Sequence, residues 1–341
     1  MRRLLGLLIA TSALAAGFAV AARADDKPIV AVSWFKFADE RWKLDEAGIK
    51  AGLAGSGMEY VSADAANSDE KQVADIENLL TRHPKVMIVM SGQAAVGSVV
   101  KTAMDSGVPV IAYDQLIDEP GVFYVSFDAR LVGHALAAGM LQFAPKGRYA
   151  IIKGDRGDPN TLAMFGGFME KMKPSLDSGA IKFVGEQFVD SWRPEGAKAA
   201  MEQILTANQN KVDAVMVMND GMASGVSKAL EEQSLNIPIS GQDGGGGALN
   251  RIARGQQTFT VWKNSMTLGR TAAKVALELA ANKPVKEETI IVTPKGNKLG
   301  AVLLPVELID RENLDLPVKA GWTTKGVICA GVTTNPPPLC K

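Results

Sequence analysis

Only two cysteines and two histidines occur among 341 residues. That scarcity argues against a metal site built on thiolate and imidazole ligands and excludes a disulfide-dense small scaffold. An excess of one charge is also missing, because 37 basic residues balance 37 acidic ones. With no long single-sign run, the chain does not read as a dedicated nucleic-acid binder. There is no Gly-x-x-x-x-Gly-Lys-Ser/Thr phosphate loop and no Gly-x-Ser-x-Gly nucleophile elbow. His83 precedes Pro84 in a loop and His134 falls in a helical pattern. Lacking a partner motif, each reads as a surface or packed residue rather than a general base. Gly244–Gly247 lacks dinucleotide-binding spacing and reads as a flexible turn rather than an anion nest. Carboxylates are plentiful, so a glycosidase pair stays open by count, but nothing singles one out.

What is present starts with export. Arg2 and Arg3 precede an apolar stretch, Leu4 to Val20, then Ala22-Arg23-Ala24 and Asp25-Asp26. This three-part pattern predicts a signal peptide over 1–24, removed after Ala24. The alternative is a membrane anchor; Thr11, Ser12 and Gly17 dilute a stretch already slightly short for ~30 Å of hydrocarbon. An exported product favours a bridge between Cys329 and Cys340 in the Gly/Thr/Pro-rich tail, with two free thiols as the alternative.

From Asp25 onward, short apolar runs alternate with helical periodicity, which predicts an α/β protein with parallel sheets. Expected strands are Ile29–Ser33, Val86–Met90, Pro109–Tyr113, Tyr149–Ile152, Ile181–Val184, Ala214–Met218 and Thr258–Val261, with a weaker one near Glu59–Ser62. Val73, Ile76, Leu79 and Leu80 share a helical face, as do Ala197, Ala200, Met201 and Ile204. Polar residues gather where strands end: Ser91-Gly92-Gln93, Asp114-Gln115, Gly154-Asp155, Asn219-Asp220 and Gln242-Asp243. Ligands of open α/β sheets bind at the carboxyl ends of strands, so this placement predicts a wall suited to an uncharged, hydroxyl-rich ligand. Helix capping by the same Asp and Asn residues is the competing reading.

Specific segments then narrow the class. Glu40-Arg41-Trp42 with Lys43 and Asp45 resembles the ERWxxD segment of periplasmic xylose-binding proteins. Matches continue in order through Ile111-Ala112-Tyr113-Asp114, Ser126-Phe127-Asp128, Asp158-Pro159-Asn160 and Gln187 to Glu195, then Asn219-Asp220, Ser240 to Asp243, and Thr260 to Lys263. The resemblance covers about residues 28 to 315. It implies a two-lobed periplasmic binding protein of type I, each lobe a parallel sheet flanked by helices, with three hinge crossings. The expected boundaries are 25–127 plus about 258–290 for the first lobe, and 128–257 plus about 291–341 for the second.

The resemblance further implies no catalysis, no cofactor and no metal, and a periplasmic monosaccharide-binding subunit of an ABC importer. Its partners would be an inner-membrane permease and, in a receptor role, a chemotaxis or sensor protein. Carried over by position, the sugar site comprises Arg41, Asp114, Asp158, Asn160, Asn219, Asp243 and Lys263, with Trp42 and Trp192 as stacking surfaces. Carboxylates accept from adjacent hydroxyls, Arg and Lys donate, Asn does both, and indoles cover the apolar face of a pyranose. Read alone, Arg41 and Lys43 equally suit a solvated helix start, Trp42 a core position, Trp192 a staple and Lys263 a surface ion pair. Gln115 joins the set as a departure, since xylose binders often carry Arg there and Gln lacks the guanidinium fork. The aromatic loop Trp34-Phe35-Lys36-Phe37 is expected either to narrow the entrance or to pack between loops. Rival classes are an exported sugar-processing enzyme and a repressor's ligand-sensing domain; the second would need an N-terminal helix-turn-helix.

Overall fold

The computed structural model describes residues 27–38, 40–92, 96–286 and 289–341. The export segment 1–24 and Gln93 lie outside the described residues. The first half runs β1 (Ile29–Trp34), α1 (Glu40–Leu53), β2 (Glu59–Asp64), α2 (Asp69–Leu80), β3 (Val86–Met90), α3 (Gly97–Asp105), β4 (Val110–Tyr113) and β5 (Phe123–Phe127). It continues as α4 (Ala129–Phe143), β6 (Gly147–Lys153), α5 (Pro159–Asp177), β7 (Ile181–Phe188), α6 (Pro194–Ala207), β8 (Ala214–Val217), α7 (Asp220–Glu232), β9 (Gln242–Asp243), α8 (Gly246–Arg254) and β10 (Thr260–Trp262). The last part holds α9 (Ser265–Ala280), β11 (Thr289–Val292), β12 (Lys298–Leu304), β13 (Glu307–Ile309), α10 (Asp315–Lys319) and α11 (Lys325–Cys329).

Among the described residues, seven strands form one sheet in the order β11-β12-β5-β4-β3-β1-β2. All its pairings are parallel except β11 against β12. Strands β3, β4 and β5 are buried at every position, as a parallel sheet covered by helices on both faces requires. The second layer joins β7-β6-β8 to β9-β10-β13 through a parallel bridge between Val215 and Ile239. There the Val215 amide donates to the Pro238 carbonyl at 2.8 Å. The chain passes between the layers after β5, after β10 and after β12, giving the three crossings of a two-lobed α/β fold.

Strand pairing redraws the expected boundaries. Thr260–Trp262 was expected in the first lobe, yet β10 lies between β9 and β13. Segment 291–304 was expected in the second, yet β12 pairs with β5 from Ala301–Tyr124 to Leu304–Phe127. The buried β5 needs a neighbour on each side, and β12 supplies the one that β4 does not. Only from β13 onward does the tail belong with the second layer.

Helix α9 returns to the first layer and packs along α1. Two glycines allow the close approach. A Cβ on Gly48 would stand 2.5 Å from the Met266 carbonyl oxygen, and one on Gly269 would stand 2.3 Å from that of Asp45. This contact ties the first turn of α1, which carries Arg41 and Trp42, to the start of α9, which follows Lys263.

Candidate functional site

All ten residues expected at the site line one cavity of about 340 Å³. Arg41 and Trp42 come from α1, and Asp114 and Gln115 from the end of β4. Across the cavity, Asp158 caps α5, with Asn160 in its first turn. Trp192 ends a 3-10 turn at Asp190–Trp192. Asn219 caps α7, Asp243 ends β9 and Lys263 follows β10. Capping and cavity lining coincide in the same side chains. Asp158 Oδ1 accepts from the Asn160 amide and Asn219 Oδ1 from the Met222 amide, each at 2.8 Å. The remaining polar atoms of both can serve the cavity.

The charges are interleaved. The Arg41 guanidinium donates to Asp114, and to Asp243 Oδ1 at 3.2 Å. Lys263 Nζ lies 3.2 Å from Asp114 Oδ1 and 3.7 Å from Asp243 Oδ1. Burial alone would raise the Asp114 carboxyl, but Arg41 and Lys263 outweigh it and hold it at about 2. Burial likewise works against the charge on Arg41, yet Asp114, Asp243 and Asp45 together keep its affinity for the proton above the ordinary value. Behind Arg41, burial pushes Asp45 up to about 6 against the pull of Arg41 and the Tyr113 hydroxyl. Tyr113 donates to Asp45, so the guanidinium has a fixed rear support.

Further links span the cavity. Gln115 Nε2 donates to Asp158 Oδ2 at 2.8 Å, and Asn160 Nδ2 to the Asp114 carbonyl at 3.2 Å. Trp192 Nε1 donates to the same Asp158 oxygen at 3.1 Å. Burial raises Asp158 to about 6, ahead of the opposing amide of Asn160. Both indoles occupy dual positions. Trp42 is buried in the core against Trp34, with the Arg41 guanidinium 4.3 Å above its ring. Trp192 lies so close to Gly154 that a Cβ there would approach its ring to 2.2 Å.

Four site residues hold left-handed backbone: Asp114 at φ 62°, Ser191 at 53°, Trp192 at 58° and Asp243 at 105°. Such conformations cost of order 1–3 kcal/mol and persist only where their surroundings impose them. At Asp114 the carbonyl accepts from Ser126 Oγ at 2.7 Å and from the Tyr124 hydroxyl at 3.1 Å. The residue types at these positions do not by themselves announce this geometry.

Sequence reasoning missed Arg251 and Met164, which also line the cavity, and it gave Asp220 no role beyond the strand-end wall. Asp220 is buried and accepts from Gln257 Nε2, Thr260 Oγ1 and the Gly244 amide at 2.7, 2.9 and 2.8 Å. The aromatic segment at the end of β1 is packing: Trp34 donates to the Tyr60 hydroxyl and meets Phe37 and Trp42 at a tilt and Tyr113 edge to face. From that segment only Lys36 lines the cavity. His134 pairs with Glu170 at 2.8 Å on the surface. Among the described residues, no group of three His, Cys, Asp or Glu side chains is placed to hold a metal. None of their helices is long and apolar enough to cross a membrane.

Against known proteins, the family model described as "Periplasmic binding protein domain" matches residues 30–284. The D-xylose-binding periplasmic protein of Escherichia coli strain K12 is 36% identical over 83% of this chain and 87% of its own length. The multiple sugar-binding periplasmic receptor ChvE of Rhizobium radiobacter is 28% identical over 92% of this chain and 96% of its own. Among solved structures, an ABC transporter solute-binding protein from Clostridium phytofermentans with bound β-D-glucose superposes with a TM-score of 0.79. That pair shares 25% identity over 88% of this chain and 99% of the other.

Proposed function

This chain belongs to the periplasmic binding protein family, and on that premise we propose that it is the solute-binding subunit of an ABC sugar importer. Its ligand is a neutral monosaccharide, xylose or a related pentose or hexose, held between the two lobes without chemical change. The protein acts in the periplasm after removal of residues 1–24, and it delivers sugar to an inner-membrane permease.

The observation that carries this reading is the interleaving of opposite charges in the cavity. Two cations, Arg41 and Lys263, alternate with Asp114 and Asp243, and Asp158 stands opposite with Gln115 and Trp192. Because Arg41 and Lys263 are already paired with Asp114 and Asp243, a charged ligand would compete with those pairs, whereas adjacent hydroxyls of a polyol can accept from the cations and donate to the carboxylates. Donors and acceptors come from both layers, so only the closed form satisfies a sugar on every side, and binding favours closure. One hydroxyl of the wrong configuration leaves a buried group unpaired, at about 1–3 kcal/mol, which suffices to reject epimers.

Gln115 is the residue on which the choice of sugar turns in this reading. Its amide already engages Asp158, and it presents one carbonyl oxygen with no partner among the described residues. A thermal-shift screen of pentoses, hexoses and polyols tests the proposal. A stabilising monosaccharide is expected, and no response across the panel would refute it. Resemblance to a relative named as a receptor supports a second role, presentation of the same bound sugar to a sensor, which uses the same cleft.

A further inference from the structure

We propose that Trp322, in the C-terminal segment ahead of the Cys329–Cys340 bridge, is a positioning residue for the sugar site, acting through Gly244 on Asp243. The inference rests on the monosaccharide reading and adds a part of the chain that neither the ligand wall nor the matched family segment includes. That matched segment ends at residue 284.

Gly244 is gripped at both its peptide groups. Its amide donates to Asp220 at 2.8 Å. Its carbonyl accepts from the Trp322 indole N–H at 2.6 Å, in a buried setting. Trp262 closes the third side, since a Cβ on Gly244 would stand 2.4 Å from its ring. Trp262 and Trp322 meet edge to face with centroids 5.9 Å apart. Immediately before this clamp, Asp243 holds φ at 105°, a conformation an aspartate adopts only under constraint. Releasing one grip lets the Asp243–Gly244 pair relax toward ordinary backbone and carries the carboxylate away from Arg41 and Lys263.

Trp322 is itself held from behind. It packs with Leu249, Ile252, Leu314 and Ile328 in a cluster separate from the main cores. Asn250 Nδ2 donates to the carbonyls of Ile328 and Ala330 at 2.9 and 2.7 Å. The Cys329–Cys340 bridge closes the end of the segment over this contact. A tail that served only to cover α8 would need neither a buried indole nor a hydrogen bond directed at the one residue following the site carboxylate.

The test is a double-mutant cycle read by calorimetry with whichever monosaccharide the wild type binds. Trp322→Phe keeps the ring and removes the N–H; it is expected to raise Kd about tenfold, since a buried carbonyl loses its partner. In an Asp243→Asn background the same change should alter Kd less than threefold, because its effect passes through that carboxylate. A purely structural role would lower the melting temperature of Trp322→Phe but leave Kd unchanged, which overturns the proposal. An equal loss in both backgrounds overturns it too. Should Trp322→Phe fail to fold, Cys329→Ser/Cys340→Ser is read instead: a severalfold higher Kd supports the brace, an unaltered Kd refutes it. A wild-type chain that binds no monosaccharide sinks the sugar reading and this inference together, whereas wild-type binding with an insensitive variant sinks the inference alone.

Discussion

Replacing Arg41 by Met removes the cation at the centre of the site and exposes how its charges support one another. Arg41 contacts Asp114 and Asp243 across the cavity and lies 3.5 Å from Asp45 behind it. Breaking a buried ion pair by deleting one partner costs about 3–5 kcal/mol, which for a chain of this size lowers the melting temperature roughly 5–10 °C. The pH dependence is the sharper signature. In the wild type, Asp114 sits at about 2, below its ordinary 3.8, which corresponds to about 2–3 kcal/mol. A depressed carboxyl contributes stability that is complete above pH 4 and lost as pH falls toward 2. Without Arg41, only Lys263 is left to oppose burial, and the Asp114 carboxyl rises. Asp45 rises further from about 6, because Arg41 is the main influence lowering it. Asp114 then contributes less stability at neutral pH, and the further-raised Asp45 penalises the folded state there until it is protonated. Scanning calorimetry of the sugar-free proteins from pH 3 to 8 should show a deficit in Arg41→Met that is largest near pH 7 and shrinks on acidification. A constant offset at every pH would refute the coupled-charge account.

Three further outcomes are expected. Burial places Asp158 at about 6 and Asp220 at about 7; raised carboxyls stabilise fully below about pH 4 and lose that contribution as pH climbs through 6 and 7. Unliganded protein should therefore melt lower at pH 8 than at pH 5, with a smaller drop in Asp158→Asn; a wild-type maximum at pH 8 contradicts this. Gly244→Ala meets both a φ of 76° and the Trp262 ring, so chemical denaturation should show a loss of more than about 1 kcal/mol. Sugar at a hundredfold excess over Kd should stabilise the wild type by about 2.7 kcal/mol, and Asn219→Ala or Asp243→Ala should abolish that increment in a thermal-shift assay.

Much of the frame was legible because parallel strands buried on both faces are written as short apolar runs. Val86–Met90 is buried at all five positions and was expected over the same residues. β5 escaped notice although it is equally buried. It follows β4 after only a short irregular link with no crossover helix, so its Phe-Tyr-Val-Ser-Phe run gives no alternation with a helical stretch. The sheet that β12 joins was also illegible, since its partner β5 lies far back in the chain and only tertiary packing pairs them. Of the site, the polar strand ends were visible one by one. What brought Arg41 to Asp243 was the return of α9 onto α1, through the glycine contacts at Gly48 and Gly269. The left-handed backbone at Asp114 and Asp243 left no trace in residue type, and neither did the reach of Trp322 to Gly244.

The central claim is that this interleaved set of side chains grips an uncharged sugar. Calorimetric titration of the wild-type protein with a panel of neutral pentoses and hexoses addresses it most directly. At least one should give a saturable isotherm with one site per chain, and the sugar should be recovered unaltered. Flat heats for every member of the panel, or a sugar that is consumed, would contradict the account.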